Sequence, residues 1–121
     1  INLPMLPATK GLLKEREFEL MKPSAYIINL ARGQIWDEKA LYSALKDGRI
    51  AGAGSDVYEV EPATKEHPLF QLENFVGTPH MAAHTDEALR RMSMVAEDVI
   101  RVLEGKVPVY PVNPVVAIKS D

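Results

Sequence analysis

The sequence predicts an α/β fold, a parallel sheet covered by helices, and three observations carry that reading. The chain alternates strand, helix, strand and strand signals with short connections. Its first full strand signal, Ala25-Tyr26-Ile27-Ile28-Asn29-Leu30, is a nearly continuous apolar run and not an alternating one, as expected for a strand covered on both faces. Finally, Arg32, Glu61 and His80 each stand at or just beyond the end of an apolar run, where a parallel sheet offers side chains to a ligand.

Taken in order, Ile1-Asn2-Leu3 reads as the tail of a buried strand that runs into a loop stiffened by Pro4 and Pro7. A short helix is expected from Lys14 to Met21, ending ahead of Pro23, whose ring disfavours helix at Lys22. After the strand 25–30, Asp37 caps a helix with Ala40, Leu41, Ala44 and Leu45 on one face, stopped by Gly48 at the left-handed position past its end. Ile50 to Val57 is a strand of small residues in which Gly52 and Gly54 allow close backbone approach. Phe75-Val76-Gly77 is a third short strand, so that about three and a half strands are expected. From Thr85 one long helix carries Ala88, Met92, Val95, Val99 and Val102 as an apolar stripe of helical period, with Met92 and Met94 in core packing or an intersubunit contact. Gly105 ends it, and a Pro-rich tail begins at Pro108.

Composition narrows the function classes. With 121 residues, 46% apolar and 26% charged, the chain suits a single globular domain with a modest core. A net charge of −3 with interspersed signs lacks the basic field that nucleic acid requires. No apolar run approaches the roughly 18 to 20 residues that span a bilayer, so no membrane partner is expected. The absence of cysteine excludes disulfides and thiolate zinc sites and fits a reducing, cytoplasmic setting. The first residue is Ile and lies inside a strand signal, which suggests a piece of a longer protein.

A guanidinium, a carboxylate and an imidazole at Arg32, Glu61 and His80 can bind an anionic substrate, orient a base and move a proton. That is equipment for redox chemistry at a carbon bearing a hydroxyl, given a hydride acceptor. No Gly-x-Gly-x-x-Gly element is present to hold one. Other candidates read as structural: Glu59 is a decoy beside Glu61, His67 lies in a charged loop, and His84 follows two alanines. The three histidines have no metal-ligand spacing, so no metal is expected.

Read together, Asn2-Leu3-Pro4, the stretch from Met21 through Asn29-Leu30-Ala31-Arg32-Gly33, Asp37-Glu38, Gly52-Ala53-Gly54-Ser55-Asp56-Val57-Tyr58, Glu61-Pro62 and Thr78-Pro79-His80 resemble the nucleotide-binding domain of the D-isomer-specific 2-hydroxyacid dehydrogenases. That family includes the D-lactate, D-glycerate and D-3-phosphoglycerate dehydrogenases. The resemblance implies a partial, Rossmann-like parallel sheet: residues 1–107 as the second half of the domain, and 108–121 as a Pro-rich tail leading toward a substrate domain. It implies a nicotinamide cofactor, NAD or NADP with NAD favoured, a small 2-hydroxy or 2-oxo acid substrate, and a homodimer. By the same resemblance Arg32 binds the substrate carboxylate and carbonyl oxygen, His80 exchanges the hydroxyl proton, and Glu61 holds the other imidazole nitrogen. Asp56 contacts the nicotinamide carboxamide with backbone groups near Ala31 assisting, His80 lies beside the nicotinamide, and Leu3, Pro4 and Thr9 lie against the adenosine side. The chain alone is expected to be inactive and to bind the dinucleotide weakly at most.

Departures from the family pattern at Trp36, Ser55 and Ala82-Ala83-His84 bear on subfamily and not on reaction class. A formate dehydrogenase-like enzyme shares the Arg and His positions, but a Gln there usually stands in the place of Glu61. A corepressor-like, nicotinamide-sensing binding module is the alternative from another class, since such proteins keep the same constellation.

Overall fold

The computed structural model describes residues 1–112; the end of the Pro-rich tail, from Asn113 on, lies outside them. Two compact units result, Ile1–Ala82 and a second from Ala83 onward.

The first unit is built on three parallel strands, β1 (Tyr26–Asn29), β2 (Gly52–Ser55) and β3 (Phe75–Gly77), hydrogen-bonded in the order β1-β2-β3. Two helices accompany them, α1 (Glu15–Glu19) and α2 (Glu38–Lys46), with 3₁₀ turns at Gly33–Ile35 and Pro68–Gln71. Helix α2 starts where its cap dictates: Asp37 Oδ1 accepts the backbone N–H groups of Lys39 and Ala40 at 2.9 and 3.0 Å. It stops at Gly48, whose φ of +67° is open to glycine at little cost. Its buried residues Leu41, Ala44 and Leu45 meet Phe18 of α1, Trp36, Ile50, Ala53, Leu69 and Phe75 in one core, with Ile27 packed against it. Each large apolar side chain buried there is worth about 1.5–3 kcal/mol.

All of that cover lies on one face, which corrects the expectation for β1. Burial alternates along the strand, and Tyr26 and Ile28 are 77% and 56% exposed. The register sets them beside Gly52 and Gly54, with Val76 next to Gly54 and equally open, so one sheet face is apolar and uncovered within this unit. Residues 1–3 form no strand either. Ile1 still lies along β1, its nitrogen donating to Ile28 O at 2.6 Å and its carbonyl accepting from Leu30 N at 3.4 Å. Among the described residues the sheet therefore has three strands and not three and a half.

In the second unit the single long helix is two, α3 (Asp86–Ser93) and α4 (Val95–Leu103), interrupted at Met94. Thr85 Oγ1 caps α3 by accepting Ala88 N–H at 3.1 Å. At the interruption Ser93 Oγ donates to Leu89 O, and Met94 N–H reaches only to Arg91 O, a tightened turn of the sort that a back-bonding serine favours. The apolar stripe exists but is open within the described residues, with Met92 and Val95 53% and 68% exposed. Met94 is exposed as well, so neither methionine packs in a core here. The chain after α4 folds back on it: Asp98 accepts Val109 N–H and Tyr110 N–H at 2.7 and 3.0 Å. Those two bonds hold the Asp98 carboxyl below its ordinary pKa.

Candidate active site

The carboxyl ends of the strands carry the candidate side chains. β1 ends on Asn29, a fully buried amide in an otherwise apolar run. Its Oδ1 accepts Ala31 N–H at 3.0 Å and its Nδ2 donates to Arg32 O at 3.0 Å, while its backbone carbonyl accepts Asp56 N–H. The turn that presents Arg32 is thus pinned to the sheet. Arg32 is exposed, and its Nη1 donates to Ala31 O at 2.6 Å. Gly33 follows because nothing larger fits: a Cβ there would lie 1.9 Å from the carbonyl carbon of Tyr58 and 2.4 Å from Glu59 N.

β2 leads into Asp56 and the loop 57–61. Tyr58 N–H donates to Glu61 Oε1 at 2.9 Å, which folds that carboxylate back over the loop, and Glu61 Oε2 lies 2.7 Å from His80 Nδ1. A carboxylate accepts only, so Nδ1 carries the proton and Nε2 is the nitrogen offered to a ligand. Burial pushes the Glu61 carboxyl up, but the His80 hydrogen bond, the Tyr58 N–H and the charges of His80 and Arg32 outweigh it, and its pKa is lowered. Arg32, Glu61 and His80 line one cavity of about 250 Å³ together with Gly33, Tyr58 and Glu59. The structure therefore brings the three side chains together.

His80 itself has φ +54°, in the left-handed region that few non-glycine residues occupy. Asp56 holds that geometry from both sides. Its Oδ1 accepts Thr78 Oγ1–H and Met81 N–H, and its Oδ2 accepts Ala82 N–H at 2.7 Å. Asp56 is only 1% exposed. Burial raises its pKa, but the bonds from Thr78, Met81 and Ala82 and the charge of His80 prevail, so the carboxyl sits below its ordinary value. All the ligands of Asp56 among the described residues are thus groups that flank His80.

Glu59 borders the cavity, but its carboxylate is engaged at the start of α2. Its carboxylate accepts Glu38 N–H at 3.3 Å while Glu38 Oε1 accepts Glu59 N–H at 2.8 Å. His67 pairs with Glu38, and His84 is exposed on its own loop. Among the described residues no group of three or more His, Asp or Glu side chains could hold a metal ion.

Of the residues expected along a dinucleotide, Leu3, Pro4 and Ala31 line a second cleft of about 530 Å³ at the end of β1, which Arg32 also borders. Its lining is mixed, with Leu3, Pro4, Met5 and Leu30 giving an apolar side that suits a flat ring and Asn2 and Arg32 a polar one. Thr9 instead closes its own loop, its Oγ1 accepting Leu6 N–H and donating to Pro4 O at 2.7 Å. A third cleft, of about 480 Å³, runs from Glu61 and His80 along Tyr58, Phe70 and Pro79. Asn29, Tyr58, Thr78 and Glu38 stand in the motifs that carry the resemblance, but no role was read for them. Asn29, a polar residue inside an apolar strand, was the one legible signal.

Residues 1–82 match the family model described as D-isomer specific 2-hydroxyacid dehydrogenase, NAD binding domain. The chain is 44% identical over 114 residues to a D-3-phosphoglycerate dehydrogenase of Methanocaldococcus jannaschii, covering 93% of this chain and 22% of that protein. It is 43% identical over 114 residues to a glyoxylate reductase of Korarchaeum cryptofilum, with 93% and 34% covered. Among solved structures it is similar to a D-isomer specific 2-hydroxyacid dehydrogenase from Xanthobacter autotrophicus Py2 in complex with NADPH and MES. That match has a TM-score of 0.78 at 35% identity and covers 93% of this chain and 46% of that one. The chain thus spans less than half the length of each of these proteins.

Proposed function

We propose, for a chain that belongs to the D-isomer specific 2-hydroxyacid dehydrogenase family, that the complete protein interconverts a D-2-hydroxy acid and its 2-oxo acid, with Arg32, Glu61 and His80 as the working side chains. The observation that carries this reading is the 2.7 Å contact between His80 Nδ1 and Glu61 Oε2, within one cavity shared with Arg32.

A nicotinamide dinucleotide supplies the hydride acceptor or donor when bound, NAD being favoured by the family description and NADP carried by a solved relative. Leu3, Pro4 and Ala31 would lie along it. Asp56 and Thr9, whose polar atoms already have partners, would act through the loops they brace. The guanidinium of Arg32 is a planar fork that matches a carboxylate in two parallel bonds. His80 Nε2 takes the hydroxyl proton as the 2-oxo acid forms and returns it in reduction. Glu61 keeps the proton on Nδ1, so that Nε2 begins as a base, and it stabilises the imidazolium that results. A carboxylate at 61 favours a substrate with a proton to move, which is a hydroxy acid and not formate.

We read the protein as a homodimer, which the open apolar side chains Met92, Val95 and Val99 of α3 and α4 support. Its cytoplasmic placement rests on the cysteine-free composition. The test is turnover of the full-length gene product with glyoxylate and D-3-phosphoglycerate among a panel of 2-oxo and 2-hydroxy acids. His80→Asn should cost about 10²- to 10⁴-fold in kcat. Undiminished turnover in that variant would dismiss the assignment.

A further inference from the structure

Outside the cavity of Arg32, Glu61 and His80 there is a second histidine–glutamate pair, on residues that the reaction does not use. His67 Nε2 lies 3.1 Å from Glu38 Oε2, with both side chains largely buried at 16% and 13% exposed. The other oxygen, Glu38 Oε1, accepts Glu59 N–H at 2.8 Å. One carboxylate thereby joins the start of α2, the loop that carries Glu61, and the segment ahead of the 3₁₀ turn Pro68–Gln71. Glu59 returns a bond to Glu38 N–H, and its own carbonyl accepts Gln34 Nε2 at 3.2 Å, so the loop is held at consecutive points.

From His67 a chain of contacts leads toward His80. The His67 ring packs at 5.5 Å from Tyr58, edge on, and at 5.3 Å from Phe70. The Tyr58 hydroxyl lies 3.1 Å from both Ser55 O and Thr78 O, at the ends of β2 and β3 and two residues before His80. Tyr58 also supplies the N–H that binds Glu61. Both members of the His80–Glu61 couple are therefore placed by groups that touch the second pair. We infer that Glu38 and His67 are positioning residues for the acid–base couple, setting the distance between His80 and Glu61 through the 58–61 loop and the Tyr58 ring. This rests on the catalytic reading of His80 given above.

The test uses the full-length gene product with Glu38→Ala, Glu38→Gln and His67→Phe, read by the NMR shifts of the His80 ring nitrogens and by steady-state kinetics. Misplacement on the ångström scale costs about ten- to hundredfold. Glu38→Ala should move the His80 ring signals and lower kcat by that factor, with KM for the acid changed less than about twofold. Glu38→Gln, which keeps an acceptor for Glu59 N–H, should recover most of both. His67→Phe keeps the packing on Tyr58 and Phe70 and loses only the link to Glu38, so it decides the matter if Glu38→Ala fails to fold. It too should shift the ring signals and lower kcat. Variants that lose thermal stability while His80 signals and kcat stay at parental values would reduce the pair to a structural brace and overturn the inference. Full turnover in His80→Asn would instead remove the catalytic reading, and the ring signals would still decide the positioning claim.

Discussion

Gly33→Ala is the perturbation whose consequence the structure states most directly. The added methyl would lie 1.9 Å from Tyr58 C, 2.1 Å from Tyr58 O and 2.4 Å from Glu59 N, and all three atoms are backbone, so no side chain can swing aside. Reaching ordinary contact requires the turn 31–33 and the loop 58–61 to part by about 1.5 Å, on the general scale of contact distances. Overpacking of this kind costs about 1–3 kcal/mol in stability. The kinetic consequence is of similar size in free energy, because one side of the clash carries Arg32 and the other Glu61, and an ångström of misplacement costs about 10²-fold, or about 2.7 kcal/mol. The control is Gly48→Ala, with φ +67° and nothing within 4 Å of the new methyl. It should cost about 1–2 kcal/mol in backbone strain and leave the kinetics unchanged. Melting curves and kcat/KM of the full-length gene product, measured for both variants, separate strain from displacement. A Gly33→Ala enzyme with kcat/KM within about twofold of the parent would refute the claim that this close approach sets the site.

Arg32→Lys should raise KM for the acid and lower turnover, a loss of about 1.5–3 kcal/mol or roughly ten- to over a hundredfold, since a point charge cannot replace a planar fork; parental kinetics would reject carboxylate binding by Arg32. Asp56 and Glu61 both have folded-state pKa values below their ordinary ones, so their stabilisation is fully present above the unfolded values near 4 and is lost as pH falls through the lowered folded values. Asp56→Asn and Glu61→Gln should each flatten the acid side of a stability-against-pH curve measured by chemical denaturation, and an unaltered slope would contradict the assigned partners.

The fold was legible wherever a local signal and a tertiary contact agree. Asp37 and Gly48 bound α2 as their chemistry requires, and the three strand cores fall on their apolar runs. The misreadings share one cause. A continuous apolar run reports what a strand can bury and not what lies within reach to bury it, so Tyr26 and Ile28 read as covered and are open in this chain. The heptad-like spacing from Ala88 to Val102 likewise carries no sign of the Ser93 hydroxyl turning back to Leu89 O, the contact that accompanies the interruption between α3 and α4. Of the two glycines read as allowing close approach, Gly52 does so: a methyl there would lie 2.9 Å from the Tyr26 ring and 3.0 Å from Asn74 O, whereas Gly54 meets only ordinary contacts at 3.7 Å and beyond. The tighter collisions, at Gly33 and Gly77, carry no local signal.

In the site, residue types were legible and the Glu61–His80 partnership was implied by the resemblance, whereas the partners of Glu59 and Asp56 were not legible, because they lie 21 to 26 residues away. The choice between Glu59 and Glu61 illustrates the physics. Both are carboxylates on one short loop, and nothing in Val57-Tyr58-Glu59-Val60-Glu61 distinguishes them beyond the resemblance. The structure separates them by what each meets: Glu59 exchanges hydrogen bonds with Glu38 at the start of α2, and Glu61 takes Tyr58 N–H and His80. The two arrangements depend on each other. With Glu38 holding Glu59 N–H, the loop backbone lies against α2, and the carboxylate two residues on folds back to Tyr58 N–H and His80 Nδ1. Asp56 acts in the same manner on the other half of the couple, since its buried oxygens bind the residues on either side of His80 and support a backbone conformation that the histidine alone disfavours. The His80–Glu61 pair is thus braced by two carboxylates that face the protein, Glu38 and Asp56. Carboxylates suit that task because each presents two oxygens that accept several N–H groups at once, and so can join three chain segments at one point.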